Sequence, residues 1–281
     1  MARPHVEFIP AQVVPWQAGL YGGARPDVEQ RVLSLDGDSG ESSLMICYPA
    51  GWRRDDPEAL DVDEEFLVLD GAIEIGGQHY GKLDYAHLPA GYSRDSAHSA
   101  GGAVVLTFFS GEPHTQPEPN GAHDEARLVR HIDTRRMAGR AGARSGMFEG
   151  IRSVGTNHKP LREDPLNGEL TWLVGMPAGW ILDQMETHPV NEEEFAIAGD
   201  LAGPRGVMRP GAYFWRPPGI QHGPFGTATG ALHLVRSKGG PLTTDLEDKP
   251  GPFEWDPAYD PVLPPEYRAY VTGYADREMN Y

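Results

Sequence analysis

The strongest constraint on this chain of 281 residues is that it repeats itself. Pro49-Ala50-Gly51-Trp52 recurs as Pro177-Ala178-Gly179-Trp180, and the same step of 128 residues carries Glu64 onto Glu192, Gly71 onto Gly199, Pro89 onto Pro217 and Gly91 onto Gly219. Self-similarity at a fixed spacing marks duplicated structural units. Two copies account for nearly the whole chain, each near the ~100–150 residues common for a domain. The expected organisation is a first unit over residues 1–125, a connector over 126–153, a second unit over 154–248 and a tail over 249–281. That tail is rich in proline and tyrosine, which suits packing against a unit or a partner subunit better than a free arm.

Within each copy the local signals are those of strands. Ser43–Tyr48 and Leu170–Val174 run into the Pro-Ala-Gly-Trp turns, and Phe66–Leu69 and Phe195–Ala198 run to an Asp-Gly or Gly-Asp pair expected to turn. Val104–Phe109 and Ala231–Val235 are further apolar runs bounded by glycine. Helical periodicity is scarce, the best stretch being Asp124–Met137. Many short strands with 35 Gly and 26 Pro supplying turns predict an all-β chain of sandwiches or small barrels.

Charge excludes some partners. Lysine and arginine number 24 against 41 acidic residues, a formal charge of −17 that repels phosphate backbones and anionic lipid, so neither nucleic acid nor membrane is an expected partner. Arg127 to Arg152 reverses the trend with seven arginines, read as a solvated connector carrying ion pairs. No run reaches the ~18 apolar residues of a membrane helix, no apolar leader is visible, and Cys47 is the single cysteine, so the expected compartment is the cytoplasm.

The chemistry-bearing residues cluster in the second copy. Glu186 and His188 alternate on one strand and so share a face, Glu192 follows after a turn, and His222 lies on a later hairpin. Two imidazoles and up to two carboxylates suit Fe(II), Mn(II), Ni(II), Co(II) or Zn(II). Burying such groups in an apolar interior is costly unless they are paired or bound to metal. Placing Phe66 opposite Phe195 shifts the repeat by one residue and would bring Glu193 to the place of Glu192. In the first copy Leu60 stands opposite His188 and Arg94 opposite His222, with Glu58 and Glu64 opposite the two glutamates. That copy is expected to hold no metal there, and to be structural, dimer-forming or a binder of an anion at Arg94; His87 and His98 offer a rescue only by another geometry.

Gly179-x6-Glu186-x-His188-x3-Glu192-x6-Gly199 with Gly211-x5-Pro217-x-Gly219-x2-His222 resembles the paired motifs of the cupin superfamily. Glu186 replaces the first histidine of that pattern, and Gly226 stands where asparagine is frequent. With the repeat, the resemblance implies tandem cupin (double-stranded β-helix, jelly-roll) barrels, a bicupin. It also implies a divalent metal held by His188, Glu192 and His222 with Glu186, and Fe(II) is the first choice among the ions above. Glu186, Glu193 and Tyr213 are candidates to move a proton, and Trp180, Gln184, Trp215, Phe225 and His233 to contact substrate. An aromatic pocket suits a small aromatic or carbonyl-bearing compound. The leading expectation is a metal-dependent dioxygenase; an isomerase or lyase using the ion as Lewis acid and a non-catalytic ligand-binding protein are the alternatives. A homodimer is compatible with either.

Overall fold

The computed structural model describes residues 3–116, 122–141 and 155–272. Among them helical structure is confined to short 3₁₀ turns and one α-helical turn at Pro265–Arg268, so the fold is all-β and jelly-roll-like. No helix among the described residues is long and apolar enough to cross a membrane. The chain divides into two compact units, one built on Val14–Met137 and the other on Pro4–Val13 with the described residues from Ala138 onward.

In the first unit an antiparallel sheet runs through Val129–Asp133, Asp84–Leu88, Glu64–Ile75, Ala103–Phe109, Ser42–Tyr48, Glu29–Leu35 and Gln17–Ala18. In the second the order is Val6–Pro10, Ala212–Arg216, Asn191–Gly199, Ala231–Lys238, Leu170–Met176, Asn157–Glu163 and Arg140–Ala141. The five central strands correspond at the step of the repeat. The strand beside Asp84–Leu88 is Val129–Asp133, whereas the strand beside Ala212–Arg216 is the chain's own beginning, Val6–Pro10. Residues 1–125 therefore do not all belong to the first unit, and the expected connector contributes a strand to it. An edge strand is recruited for its unpaired backbone groups, which do not depend on sequence proximity.

Two local expectations are corrected. Asp124–Met137, the stretch with the best helical periodicity, is not a helix: it forms the strand Val129–Asp133 between 3₁₀ turns in which the Ala126 and Arg135 N–H groups donate to the Asp124 and Asp133 carboxylates. Its arginines do pair with acids, Arg127 with Asp63 at 2.6 Å and Arg135 with Asp133 at 2.9 Å, while Arg144 and Arg152 lie outside the described residues. Asp70-Gly71 does not end its strand, which continues to Ile75 through a register shift. Gly71 takes φ 68°, and a Cβ there would lie 2.1 Å from the Gly102 carbonyl oxygen. Gly199 repeats both features, with φ 79° and 1.8 Å to the Gly230 oxygen, so glycine is required at this crossing in each unit.

Leu44, Ile46, Phe66, Val68, Leu88 and Val105 fill the first unit's interior. The second unit's interior is apolar around Met176, Ala196, Phe214 and Phe225 and gives way to ionisable side chains near His188 and His222.

Candidate metal centre

Two backbone devices hold the centre. Glu186 and His222 form a bridge, the Glu186 N–H donating to the His222 carbonyl at 2.9 Å and the His222 N–H to the Glu186 carbonyl at 3.0 Å, while the Gly219 N–H donates to the His188 carbonyl at 2.9 Å. The first unit repeats these contacts at Glu58, Arg94, Gly91 and Leu60, so the same frame carries different side chains.

The two imidazoles are buried, with ring centroids 4.9 Å apart. His188 Nδ1 donates to the Thr243 carbonyl at 2.9 Å and His222 Nδ1 to the Ile220 carbonyl at 2.8 Å. A carbonyl only accepts, so each Nδ1 carries a proton, and in the neutral ring Nε2 then keeps its lone pair, the tautomer that ligates metal. Neither Nε2 has a hydrogen-bond partner, although both are buried. One atom from each of Glu186, His188 and His222 lies within 4.8 Å of the others. Two lone-pair nitrogens and a carboxylate oxygen converging in this way fit a divalent cation.

Glu192 faces the same space, its oxygens 3.6 Å from His188 Nε2 and 3.5 Å from His222 Nε2. It also accepts from the Nη1 of Arg216, which sits opposite it on the neighbouring strand. The rest of the Arg216 guanidinium is occupied by Glu7 of the first strand, Nε and Nη2 each donating to one carboxylate oxygen. Burial by itself would raise the Glu192 carboxyl, but the positive charges around it, the Arg216 guanidinium among them, hold it below the ordinary carboxylate range. The same opposition lowers Glu7, where burial is opposed by Arg216 and a hydrogen bond from His5, and raises Arg216, where burial is opposed by Glu7 and Glu192.

Above these groups lies a cavity of about 110 Å³ walled by Trp172, Val174, Met176, Trp180, Phe225 and Val235. Trp180 and Phe225 thus border it as expected contacts would. Glu194 lines it too, accepting from Nδ1 of the fully buried His233. His158 lines it beside Thr156 Oγ1 at 2.9 Å, and burial pushes its imidazole down to about 4, so it is neutral near pH 7.

Other expected contacts are elsewhere. Glu193, Tyr213 and Trp215 are not on the cavity wall: alternation turns them to the other face of their strands, where the Tyr213 hydroxyl donates to Glu193 at 2.6 Å and Arg236 pairs with the same carboxylate. The first unit has an identical bond from Tyr85 to Glu65 at 2.6 Å, the mark of a repeated structural pair. Gln184 donates to the Glu247 carbonyl and lies off the cavity. Sequence reasoning missed Glu7, Arg216, Glu194 and His158. Of these only Glu194 had a signal, being two residues beyond Glu192 on one strand.

In the first unit the corresponding space is filled by ion pairs. Arg25 donates to Glu64 at 2.7 Å and 2.9 Å and to Glu58 at 2.9 Å, Arg94 donates to Glu64 at 2.7 Å, and Arg54 meets Glu58 at 2.6 Å. Arg94 is therefore committed to carboxylates of its own unit rather than open to an anion. Its position beside Leu60 leaves that frame without an imidazole.

A family model described as a domain of unknown function (DUF4437) matches residues 10–242. No curated protein matches the chain in sequence. Among solved structures, a candidate dioxygenase from Nostoc punctiforme is similar at a TM-score of 0.76 and 20% identity, with 88% of this chain and 92% of that chain covered. Oxalate decarboxylase from Bacillus subtilis, in a study of its Mn(II) centres, is similar at 0.55 and 11% identity over 85% of this chain and 79% of that one. The same enzyme at pH 4.6 gives 0.54 and 12% over 85% and 78%. These likenesses show the cupin fold.

Proposed function

The chain belongs to the family described as a domain of unknown function (DUF4437), and on that premise we propose that it is a metal-dependent bicupin enzyme, a non-haem dioxygenase acting on a small aromatic or enolisable carbonyl compound. The observation that carries this reading is the pair of buried imidazoles, each with Nδ1 tied to a carbonyl and Nε2 left to a shared point with Glu186. Two histidines and one carboxylate are the donor set of non-haem Fe(II) oxygenases, which is why Fe(II) is preferred. The bound ion would supply Lewis acidity and, when redox-active, electrons for dioxygen.

The chain's own part is to hold and shape. Trp172, Trp180 and Phe225 present flat apolar surfaces to an unsaturated substrate, and the cavity excludes bulky ones. A cavity of about 150 Å³ accommodates benzene, so this one, somewhat smaller, suits a short carbonyl compound, with a single ring as the upper limit. Thr243 and Ile220 fix both imidazoles through backbone oxygens that no side-chain change removes.

Metal analysis of the purified protein followed by oxygen-uptake assays of the Fe(II)-loaded form against short diketones and catechols tests the proposal. Turnover that requires oxygen is the expected result. Turnover that persists anaerobically, or a protein that retains no divalent ion, overturns it.

One observation favours a second reading, an isomerase or lyase in which the ion acts only as a Lewis acid. Glu194 lines the cavity with the buried His233 behind it, a suitable store for a proton moved within substrate. Full activity with Zn(II) would select it.

A further inference from the structure

The centre presents two carboxylates, and they differ in what else they touch. Glu192 accepts from Arg216, a side chain only 2% exposed. Arg216 cannot swing away: its remaining nitrogens are held by Glu7, and its guanidinium lies 4.0 Å from the centre of the Phe214 ring. Glu186 has no such partner. Among the described residues no arginine or lysine pairs with it, and the ring nitrogen beside it is His222 Nε2 at 3.4 Å.

The first unit sharpens the contrast. Glu64, in the place of Glu192, is claimed by Arg25 and Arg94, and Glu58, in the place of Glu186, is claimed by Arg25, Arg54 and Arg94. Arginine thus neutralises both carboxylates of the frame in one unit and only Glu192 in the other. A carboxylate oxygen already receiving an Arg hydrogen bond offers less charge to a cation, and the nearby guanidinium repels that cation.

We infer that Arg216, anchored by Glu7, withdraws Glu192 from the metal-binding set and leaves Glu186 as the carboxylate that holds the ion. The inference rests on the reading that this centre binds a divalent cation. It explains why a glutamate can stand where the motif has its first histidine: Glu186 supplies the anionic oxygen that Glu192 has given up to Arg216. Arg216 and Glu7 are on this account positioning residues that decide the composition of the donor set without touching the ion.

Co(II) is the probe, titrated into the full chain as wild type, Glu186→Gln, Glu192→Gln and Arg216→Met, with binding followed by its visible absorption spectrum and by competition with Zn(II). Glu186→Gln is expected to weaken Co(II) binding at least about tenfold more than Glu192→Gln does and to change the spectrum, while Glu192→Gln preserves the spectrum. Arg216→Met, which releases Glu192, is expected to tighten binding and alter the spectrum. The glutamine pair decides the matter even where Arg216→Met fails to fold. A larger loss from Glu192→Gln, with its spectrum changed and that of Glu186→Gln kept, overturns the inference alone. A wild type that binds neither Co(II) nor Zn(II) removes the metal reading itself, a distinguishable outcome.

Discussion

His188 and His222 reach the centre from different hairpins, and each is oriented by a backbone carbonyl rather than by a replaceable side chain. Replacing either with alanine is expected to cost at least about tenfold in divalent-metal affinity while leaving the far-UV circular dichroism unchanged, checked by metal titration. A different dependence belongs to His158, which burial lowers to about 4 from its ordinary 6.5. Its folded value is depressed, so between those values the unfolded chain binds more protons and stability falls as pH falls from 6.5 toward 4. Denaturant melts across that window should show a loss of a few kcal/mol, and His158→Asn should flatten it. Below it the carboxylates take over. Burial opposes but Arg25, Arg94 and Arg54 together hold Glu58 down to about 2, so its contribution persists above the ordinary 4.5 and is lost as pH falls toward 2.

At the scale of elements, the strand Val6–Pro10 does two jobs: it closes the edge beside Ala212–Arg216 and carries Glu7 to Arg216. Glu7→Gln leaves a buried guanidinium partly uncompensated, and the expected cost is about 3–5 kcal/mol, read from urea melts. A turn glycine and a strand-crossing glycine make a second test. Gly179 takes φ 77° with open space for 4 Å around the point a methyl would occupy, so Gly179→Ala should cost only the left-handed backbone penalty of about 1–2 kcal/mol. Gly199→Ala adds a collision with the Gly230 carbonyl and should exceed it by roughly 1–3 kcal/mol. Equal costs at the two positions would contradict the close approach. These elements were only partly legible in the sequence. The central strands announced themselves through apolar runs and turn residues, but the edge strands did not, because pairing at an edge depends on exposed backbone groups rather than on side-chain pattern.

For the whole molecule, duplication has kept the frame and divided the chemistry. One copy holds its frame together with Arg25, Arg94, Glu58 and Glu64, and the other brings Glu186, His188 and His222 toward one point. Elemental analysis should therefore return one tightly bound divalent ion per chain, lost together with His222; a second that survives His222→Ala would place a site in the first unit. Arg25→Met should destabilise the first unit by about 3–5 kcal/mol without affecting that ion, because it strands two buried carboxylates.

The repeat, the strand-rich class, the two histidines and the loss of imidazoles from the first copy were all determined by the sequence itself, since spacing and residue type express them directly. Tertiary structure decided which of three consecutive glutamates points inward. Alternation says that 192 and 194 share a face, but only the register with Ala212–Arg216 says which face that is. It also decided the fate of Glu192, through an arginine on the adjacent strand and a glutamate 209 residues from that arginine in the chain. Charge neutralisation acts through space over a few ångströms, and no local pattern in a sequence records a partner brought in from so far along the chain.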